Sequence, residues 1–474
     1  MPIETKTNIL ATLGPATETK EMIEKLLNAG ADAFRVNFSH GDYKTHKQRI
    51  NLIRKIEKER NIKIGILADL QGPKLRVGDM ADNTILVEGR EFVLDMKSEI
   101  GNAQRAQLPH KEIFKALKVG DDLLLNDGNL SLRVVETNNK DYAKTVVKVG
   151  GKLTSKKGVN LPNTKLDINA ITPKDEADLE FALKCGVDYV GLSFVQHSDD
   201  VRYARKLING KAWIISKLEK PSALEELSEI VALSDGIMVA RGDLGVECPV
   251  YSVPVLQKRI VAECRKQGRP VIVATQMLES MIEAPTPTRA EVSDIATAVY
   301  SGVDTVMLSA ETAAGKYPVQ AVSMMKKIIK SVESDSHCRD SWDSSKTKPK
   351  NISQSDSITY AATKISEVLT NVKAIVTFTS SGSTTLLAAR ERPCLPVIAI
   401  TPNDEVARKM SLVWGVNSYI NRHLYKSLEK AQSVAIKTIV DNGYAKSGDH
   451  IIITFGFPLN QVGLTNMLHT VQIP

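Results

Sequence analysis

The chain has 474 residues, too many for one ordinary core, and about three domains are expected. Its 42% hydrophobic and 25% charged content are those of a globular protein in water, and no apolar run reaches the length of a membrane span. A net charge of +7 on dispersed lysines, with 5% aromatic residues, argues against a nucleic-acid surface and suits an enzyme of anionic substrates.

Eight apolar runs of strand length precede residue 315: Asn8–Gly14, Ala33–Ser39, Ile64–Leu70, Val187–Val195, Trp213–Glu219, Gly236–Leu244, Pro270–Leu278 and Thr305–Thr312. Most are continuous rather than alternating, as in parallel strands buried on both faces. Amphipathic stretches separate most of them. One joint recurs, at Gly30-Ala-Asp32, Gly186-Val-Asp188 and Gly302-Val-Asp304, and reads as helix, glycine cap, then strand. Eight such units predict an α/β chain built on a (β/α)8 TIM barrel over 1–70 and 166–335. An open doubly wound sheet is the alternative.

The segment 71–165 has short alternating runs and a hairpin signal at Asn126-Asp127-Gly128. It reads as a β-rich lid domain over the C-terminal face of the barrel, where barrel active sites lie. A polar stretch over 333–350 reads as a linker. Beyond it, helices alternate with strands at Lys373–Thr379, Pro396–Thr401, Val416–Ile420 and His450–Gly456, predicting a C-terminal α/β regulatory domain over 351–474. The five cysteines are scattered and include no CxxC, and the N-terminus lacks the apolar core of a targeting signal, so a cytoplasmic location is expected.

Polar residues crowd the C-terminal ends of the barrel runs: Arg35, Asn37 and Ser39; Asp69; Ser193; Lys217 and Glu219; Arg241 and Asp243; Thr275; Ser309 and Glu311. The stretch Met238–Glu247 is the most informative, because Asp243 stands between Gly242 and Gly245 at the end of an apolar strand. Bare backbone there lets N–H groups approach an anion, and the carboxylate can hold a hard cation. Glu219 and Asp243 are the pair expected to hold Mg2+. Lys217 shares a strand face with Glu219 and can stabilise charge developing on a phosphoryl group or an enolate. A purely structural Lys–Glu ion pair is the bland alternative. Arg35 can grip phosphate with its planar fork.

The segments Arg35-Val-Asn37-Phe-Ser39-His40-Gly41, Ala68-Asp69-Leu-Gln-Gly72-Pro73-Lys74, Ser216-Lys217-Leu-Glu219, Met238–Glu247, Ala274–Ser280 and Met307–Thr312 resemble the pyruvate kinase family in order and spacing, over essentially the whole chain. Lys156–Pro162 resembles the family's hinge from lid to barrel. The resemblance implies transfer of the phosphoryl group of phosphoenolpyruvate to ADP, giving pyruvate and ATP. It implies Mg2+ on Glu219 and Asp243, and catalytic roles for Lys217, Arg35, Arg76, Thr275 and Ser309. It also implies substrate contacts from Thr275, Gly242 and Asp243, and nucleotide contacts from Thr12, Pro15, Asn37, His40, Arg76 and Lys157. A homotetramer follows from the same resemblance. The proton donor to the enolate stays open, near Thr275 and Ser309. A Mg2+-dependent lyase or aldolase and a non-catalytic scaffold are the competing readings. Neither explains the full set of motifs.

One departure carries an expectation. Family members that require K+ have Asp-Thr-Lys-Gly-Pro-Glu where this chain has Asp69-Leu70-Gln71-Gly72-Pro73-Lys74. The monovalent-cation position would be formed by Asn37, Ser39, Asp69 and Leu70. Replacing Glu by Lys changes the local charge by two units, so the Lys74 ammonium is expected to stand in for K+ beside Asp69, making the enzyme K+-independent. In the C-terminal domain, Thr379-Ser380-Ser381-Gly382-Ser383-Thr384 resembles the family's effector loop for a sugar phosphate. The later loop Gly456–Gly463 holds no arginine or lysine, which leaves the effector undefined.

Overall fold

The computed structural model describes residues 5–474 except 163, 165, 167, 337, 339–341, 343–351, 424–426, 460–462 and 464. Most of the expected 333–350 linker therefore lies outside the described residues.

The eight barrel strands are Asn8–Leu13, Ala33–Asn37, Gly65–Asp69, Tyr189–Leu192, Trp213–Leu218, Gly236–Ala240, Val271–Ala274 and Thr305–Leu308. They run parallel and close in chain order, the last pairing with the first. The TIM barrel expected from the continuous apolar runs is therefore present, and an open sheet is excluded. Period-two geometry divides each strand. Ile9, Ala11, Phe34, Val36, Ile66 and Ala68 pack outward in the core shared with the helices. Leu10, Ala33, Leu67, Tyr189, Ile215, Met238, Ile272 and Met307 fill the interior. The same inward register continues to Thr12, Arg35, Asp69, Lys217 and Glu219 at the C-terminal ends. The barrel is thus apolar below and charged above. The recurrent glycines end their helices as expected, with left-handed φ of +117° at Gly30, +75° at Gly186 and +78° at Gly302.

The insert forms a six-stranded sheet and a two-stranded one. Its hairpin joins Asp122–Leu125 to Leu130–Thr137 through Asn126, Asp127 and Gly128, all at positive φ. Its own apolar core includes Phe92, Phe114, Leu123 and Leu132.

The C-terminal sheet has five strands, four of them near the expected runs: Val372–Phe378, Val397–Thr401, Val416–Ile420 and His450–Phe455. A fifth, Met467–Gln472, pairs antiparallel with His450–Phe455 at the sheet edge and was not anticipated, because Met-Leu-His-Thr-Val-Gln is neither a continuous apolar run nor a strict alternation. This domain plugs the N-terminal end of the barrel. Leu412 joins the interior cluster, and the Tyr189 hydroxyl donates to the Lys409 carbonyl at 2.8 Å. Arg392 pairs with Asp304 at 3.0 Å over the face of Trp414.

Candidate functional site

Asp69 ends the third strand and is 1% exposed. The Arg35 guanidinium donates to its Oδ2 at 2.6 and 2.7 Å, and the Lys217 ammonium lies 3.2 Å from its Oδ1. Oδ1 receives no well-aligned hydrogen bond and is buried. Burial opposes ionisation of Asp69, but the Lys217 and Arg35 charges outweigh it and hold the carboxyl below its usual range. Lys217 also reaches Glu219 Oε1 at 2.9 Å and donates to Ser193 Oγ at 2.6 Å. Burial disfavours its ammonium form, yet Asp69, Glu219 and Asp243 together raise its pKa above that of an ordinary lysine. Lys217 is therefore a fixed cation at neutral pH.

Burial pushes the Glu219 carboxyl up to about 6, against the pull of Lys217 and with the help of the Asp243 charge. Its Oε2 accepts from the backbone N–H of Phe194 at 3.0 Å. Phe194 holds a left-handed φ of +58°, so a residue that reads as core in sequence turns its amide onto an acid. Three carboxylates, Asp69, Glu219 and Asp243, thus face two cations, Arg35 and Lys217. That excess negative charge, with an acceptor oxygen left unsatisfied, fits a divalent cation. Among the described residues no cluster of three or more His, Cys, Asp or Glu could bind a metal unaided. Mg2+ needs only one or two carboxylates and takes its other oxygens from water and substrate.

The expected strand Gly236–Leu244 is corrected. It ends at Ala240, and Arg241–Glu247 is helical. A continuous apolar run cannot distinguish the two states, and Leu244 turns into the barrel core. Asp243 therefore lies in the first turn of a helix, where the dipole favours a carboxylate. The Gly242 amide donates to Thr275 Oγ1 at 2.8 Å, and a Cβ on Gly242 would press to 3.4 Å of that oxygen. Gly245 lies inside the helix, where an added Cβ would meet only Val253 at 3.7 Å.

Thr275 has φ +67° and Gln276 φ +54°. For a β-branched residue this is strained backbone. Arg241 holds it, donating to the carbonyls of Thr275 at 2.6 Å and Gln276 at 3.2 Å while pairing with Asp294. Arg241 thus acts as a backbone clamp. Glu311 ties the neighbouring turns through the amides of Leu278 at 3.2 Å and Ser309 at 2.6 Å. Ser309 is partly exposed beside it.

The Thr12 hydroxyl donates to the Leu308 carbonyl at 2.8 Å and accepts from Arg35 at 3.2 Å, so it is used to orient Arg35. Pro15 is exposed on the adjacent turn. Asn37 Oδ1 accepts from the Ser39 amide at 3.0 Å, and the Leu70 carbonyl accepts from Ser193 Oγ at 2.7 Å. His40 is exposed, and burial of its ring with the charges of Lys74, Arg76 and Arg35 lowers its pKa. Arg76 donates to the Lys156 carbonyl at 2.9 Å, and the Lys157 carbonyl accepts from Val77 at 3.0 Å, placing both in the lid hinge. Lys74 is not beside Asp69, whose ion-pair partners are Arg35 and Lys217. Its ammonium is exposed, and its charge reaches His40.

In the C-terminal domain, Gly382 takes φ +94° before the helix Ser383–Arg390. The Thr379 and Thr384 hydroxyls are engaged internally, with the Gly382 amide and with Thr465. Ser380 is partly exposed, Ser381 and Ser383 are exposed, and 460–462 of the facing loop lie outside the described residues.

Sequence reasoning missed Phe194, Asn160, Lys220 and Glu247. The last three meet at one carboxylate oxygen: Lys220 Nζ lies 2.5 Å and Asn160 Nδ2 2.7 Å from Glu247 Oε1. Asn160 and Glu247 lie within the quoted stretches Lys156–Pro162 and Met238–Glu247, and Lys220 follows Glu219, but nothing in the sequence signalled that the three meet.

Residues 4–322 match the family model described as pyruvate kinase, barrel domain, and 356–471 match pyruvate kinase, alpha/beta domain. A pyruvate kinase of Methylorubrum extorquens is 48% identical over 464 residues, covering 98% of this chain and 96% of that protein. One of Agrobacterium vitis is 44% identical, covering 99% and 97%. The crystal structure of a pyruvate kinase from Cryptosporidium parvum superposes with a TM-score of 0.92 at 33% identity, covering 99% of this chain and 97% of that one. The barrel, the lid, the carboxylate–lysine cluster and these matches together place the chain in the pyruvate kinase family of phosphotransferases.

Proposed function

We propose that the chain transfers the phosphoryl group of phosphoenolpyruvate to ADP, giving pyruvate and ATP, with Mg2+ held by Glu219 and Asp243. The observation that carries this reading is Lys217, a buried permanent cation set between Asp69 and Glu219 at the barrel mouth. Mg2+, when bound, neutralises charge on phosphate oxygens. Lys217 stabilises the phosphoryl group in flight and the enolate left behind, while Arg35, held in place by Asp69 and Thr12, orients phosphate. Thr275 and the first amides of the helix Arg241–Glu247 bind the substrate carboxylate. Arg76 and Lys157 approach from the lid, which the segment 71–165 supplies, and enclose the nucleotide with Thr12, Pro15, Asn37 and His40.

K+ independence belongs to the same proposal. Asp69 already has two cations, and Lys74 adds a third positive charge near His40 and Arg76. Lys74 thus supplies charge at the site mouth instead of replacing an ion on Asp69. We also assign a homotetramer, for which the exposed apolar residues Val250, Tyr251 and Val255 offer a surface, and a cytoplasmic setting. A phosphorylated effector would engage Ser380, Ser381 and Ser383 in the 351–474 regulatory domain.

The test is pyruvate formation from phosphoenolpyruvate with Mg2+, first without K+ and then with it. Full activity requiring ADP but no K+ is expected. Loss of phosphoenolpyruvate without ADP would favour a lyase. Activity only with K+ would remove the Lys74 assignment.

A further inference from the structure

Glu247 closes the helix Arg241–Glu247, whose first turn carries Asp243. It is 3% exposed, and its Oε1 is shared by two donors from different elements. One is Lys220, itself buried, which directly follows Glu219. The other is Asn160, on the hinge strand Val159–Asn160 that pairs with the lid strand Asp122–Leu125. The Lys220 ammonium also lies 5.4 Å from the centre of the Phe194 ring, and the Phe194 amide holds Glu219. A second lid contact falls on the same helix, where a Cβ at Gly128 would lie 3.7 Å from Val246. Glu247 Oε2 is buried and finds no hydrogen-bond partner among the described residues, so its hold on the lid rests on the shared Oε1.

We infer that Glu247 is a positioning residue that couples the seating of the lid to the placement of Glu219 and Asp243. Its carboxylate joins the lid hinge, the segment Glu219-Lys220 that follows the strand Trp213–Leu218, and the helix bearing Asp243. When the lid is seated, Asn160 and Lys220 converge on Oε1 and fix both acids relative to each other. When the lid lifts, Asn160 leaves and Lys220 is freer to move, carrying Glu219 with it. Linkage makes this reciprocal: a cation held by the two acids must favour the seated lid. The inference rests on the proposed Mg2+ assignment.

The test uses the full chain, with Mn2+ alone as the probe. Mn2+ affinity is read by electron paramagnetic resonance without substrates, and hinge mobility by amide hydrogen exchange over 156–161. Asn160→Ala removes the lid arm and leaves the Lys220–Glu247 pair. Glu247→Gln keeps an acceptor for Asn160 and removes the charge facing Lys220. In the parent, Mn2+ should slow hinge exchange. In both variants that protection should vanish and Mn2+ affinity should fall about fivefold or more. Parent-like affinity and protection in both variants would overturn the coupling. Glu219→Gln separates the two ideas. If the parent binds Mn2+ no better than Glu219→Gln does, the metal assignment fails and takes the coupling with it. If Glu219→Gln alone loses Mn2+, only the coupling fails.

Discussion

Replacing Lys217 by methionine tests the centre of the site most directly. Its ammonium lies 3.2 Å from Asp69 and 2.9 Å from Glu219, both nearly fully buried. At an effective dielectric near 20 these contacts amount to about 5 and 6 kcal/mol of attraction before desolvation is charged against them. Asp69 keeps Arg35 after the substitution, but Glu219 loses the cation beside it. Breaking one side of such a buried pair destabilises by about 3–5 kcal/mol, because it strands the remaining charge. The thermal midpoint of Lys217→Met should therefore fall without divalent cation. Mg2+ should restore part of it by binding the folded state. Turnover should drop further than stability explains, by about 10²–10³-fold, the usual consequence of losing one group aimed at developing charge. The assay is pyruvate formation at saturating phosphoenolpyruvate, ADP and Mg2+, at a temperature where the variant is folded. A variant within tenfold of the parent, with an unaltered midpoint, would refute the reading that this ammonium organises the acids and the transition state.

Lys74→Glu should make activity depend on K+, seen as a rise in rate on K+ addition that the parent lacks; an unchanged K+ response would sink the proposal. Arg392→Ala should destabilise the junction of barrel and C-terminal domain by about 3 kcal/mol, since the buried Asp304 loses its cation and keeps only the amides of Val271 and Trp414; a denaturant midpoint close to the parent's would show that the pair contributes little. Asp32 accepts from the Ile9 amide at 2.8 Å, and burial pushes its carboxyl up to about 6. The folded protein thus binds this proton more tightly than the unfolded chain. A penalty of at most about 3 kcal/mol is present above pH 6 and is relieved as pH falls toward 4. Asp32→Asn keeps the acceptor and should be more stable than the parent at pH 7, with that pH component flattened; equal midpoints at pH 7 would contradict it.

The barrel was legible because its strands are buried on both faces and its helices stop at glycines. Continuous apolar runs and the Gly30, Gly186 and Gly302 joints are local features, and they survive in a linear reading. The polar strand ends were legible for a related reason. Period two fixes which residues share an interior, so Arg35, Asp69, Lys217 and Glu219 had to converge once the barrel closed. The strand Met467–Gln472 was missed because its sequence follows neither strand pattern, and it becomes a strand only by pairing along His450–Phe455 at the sheet edge.

Residue types and their order thus determined the architecture, the acids and the cations. The tertiary structure alone decided which cation met which acid. Asp69 took Arg35 and Lys217 and left Lys74 exposed, because distance across a closed barrel does not follow separation along the chain. It also decided where backbone became chemistry. The left-handed turns at Phe194 and Thr275 are held by surrounding elements, and no side chain in either stretch announces them. The meeting of Asn160, Lys220 and Glu247 belongs to the same class: three polar residues from three elements, unremarkable one by one, joined when the lid sits on the barrel.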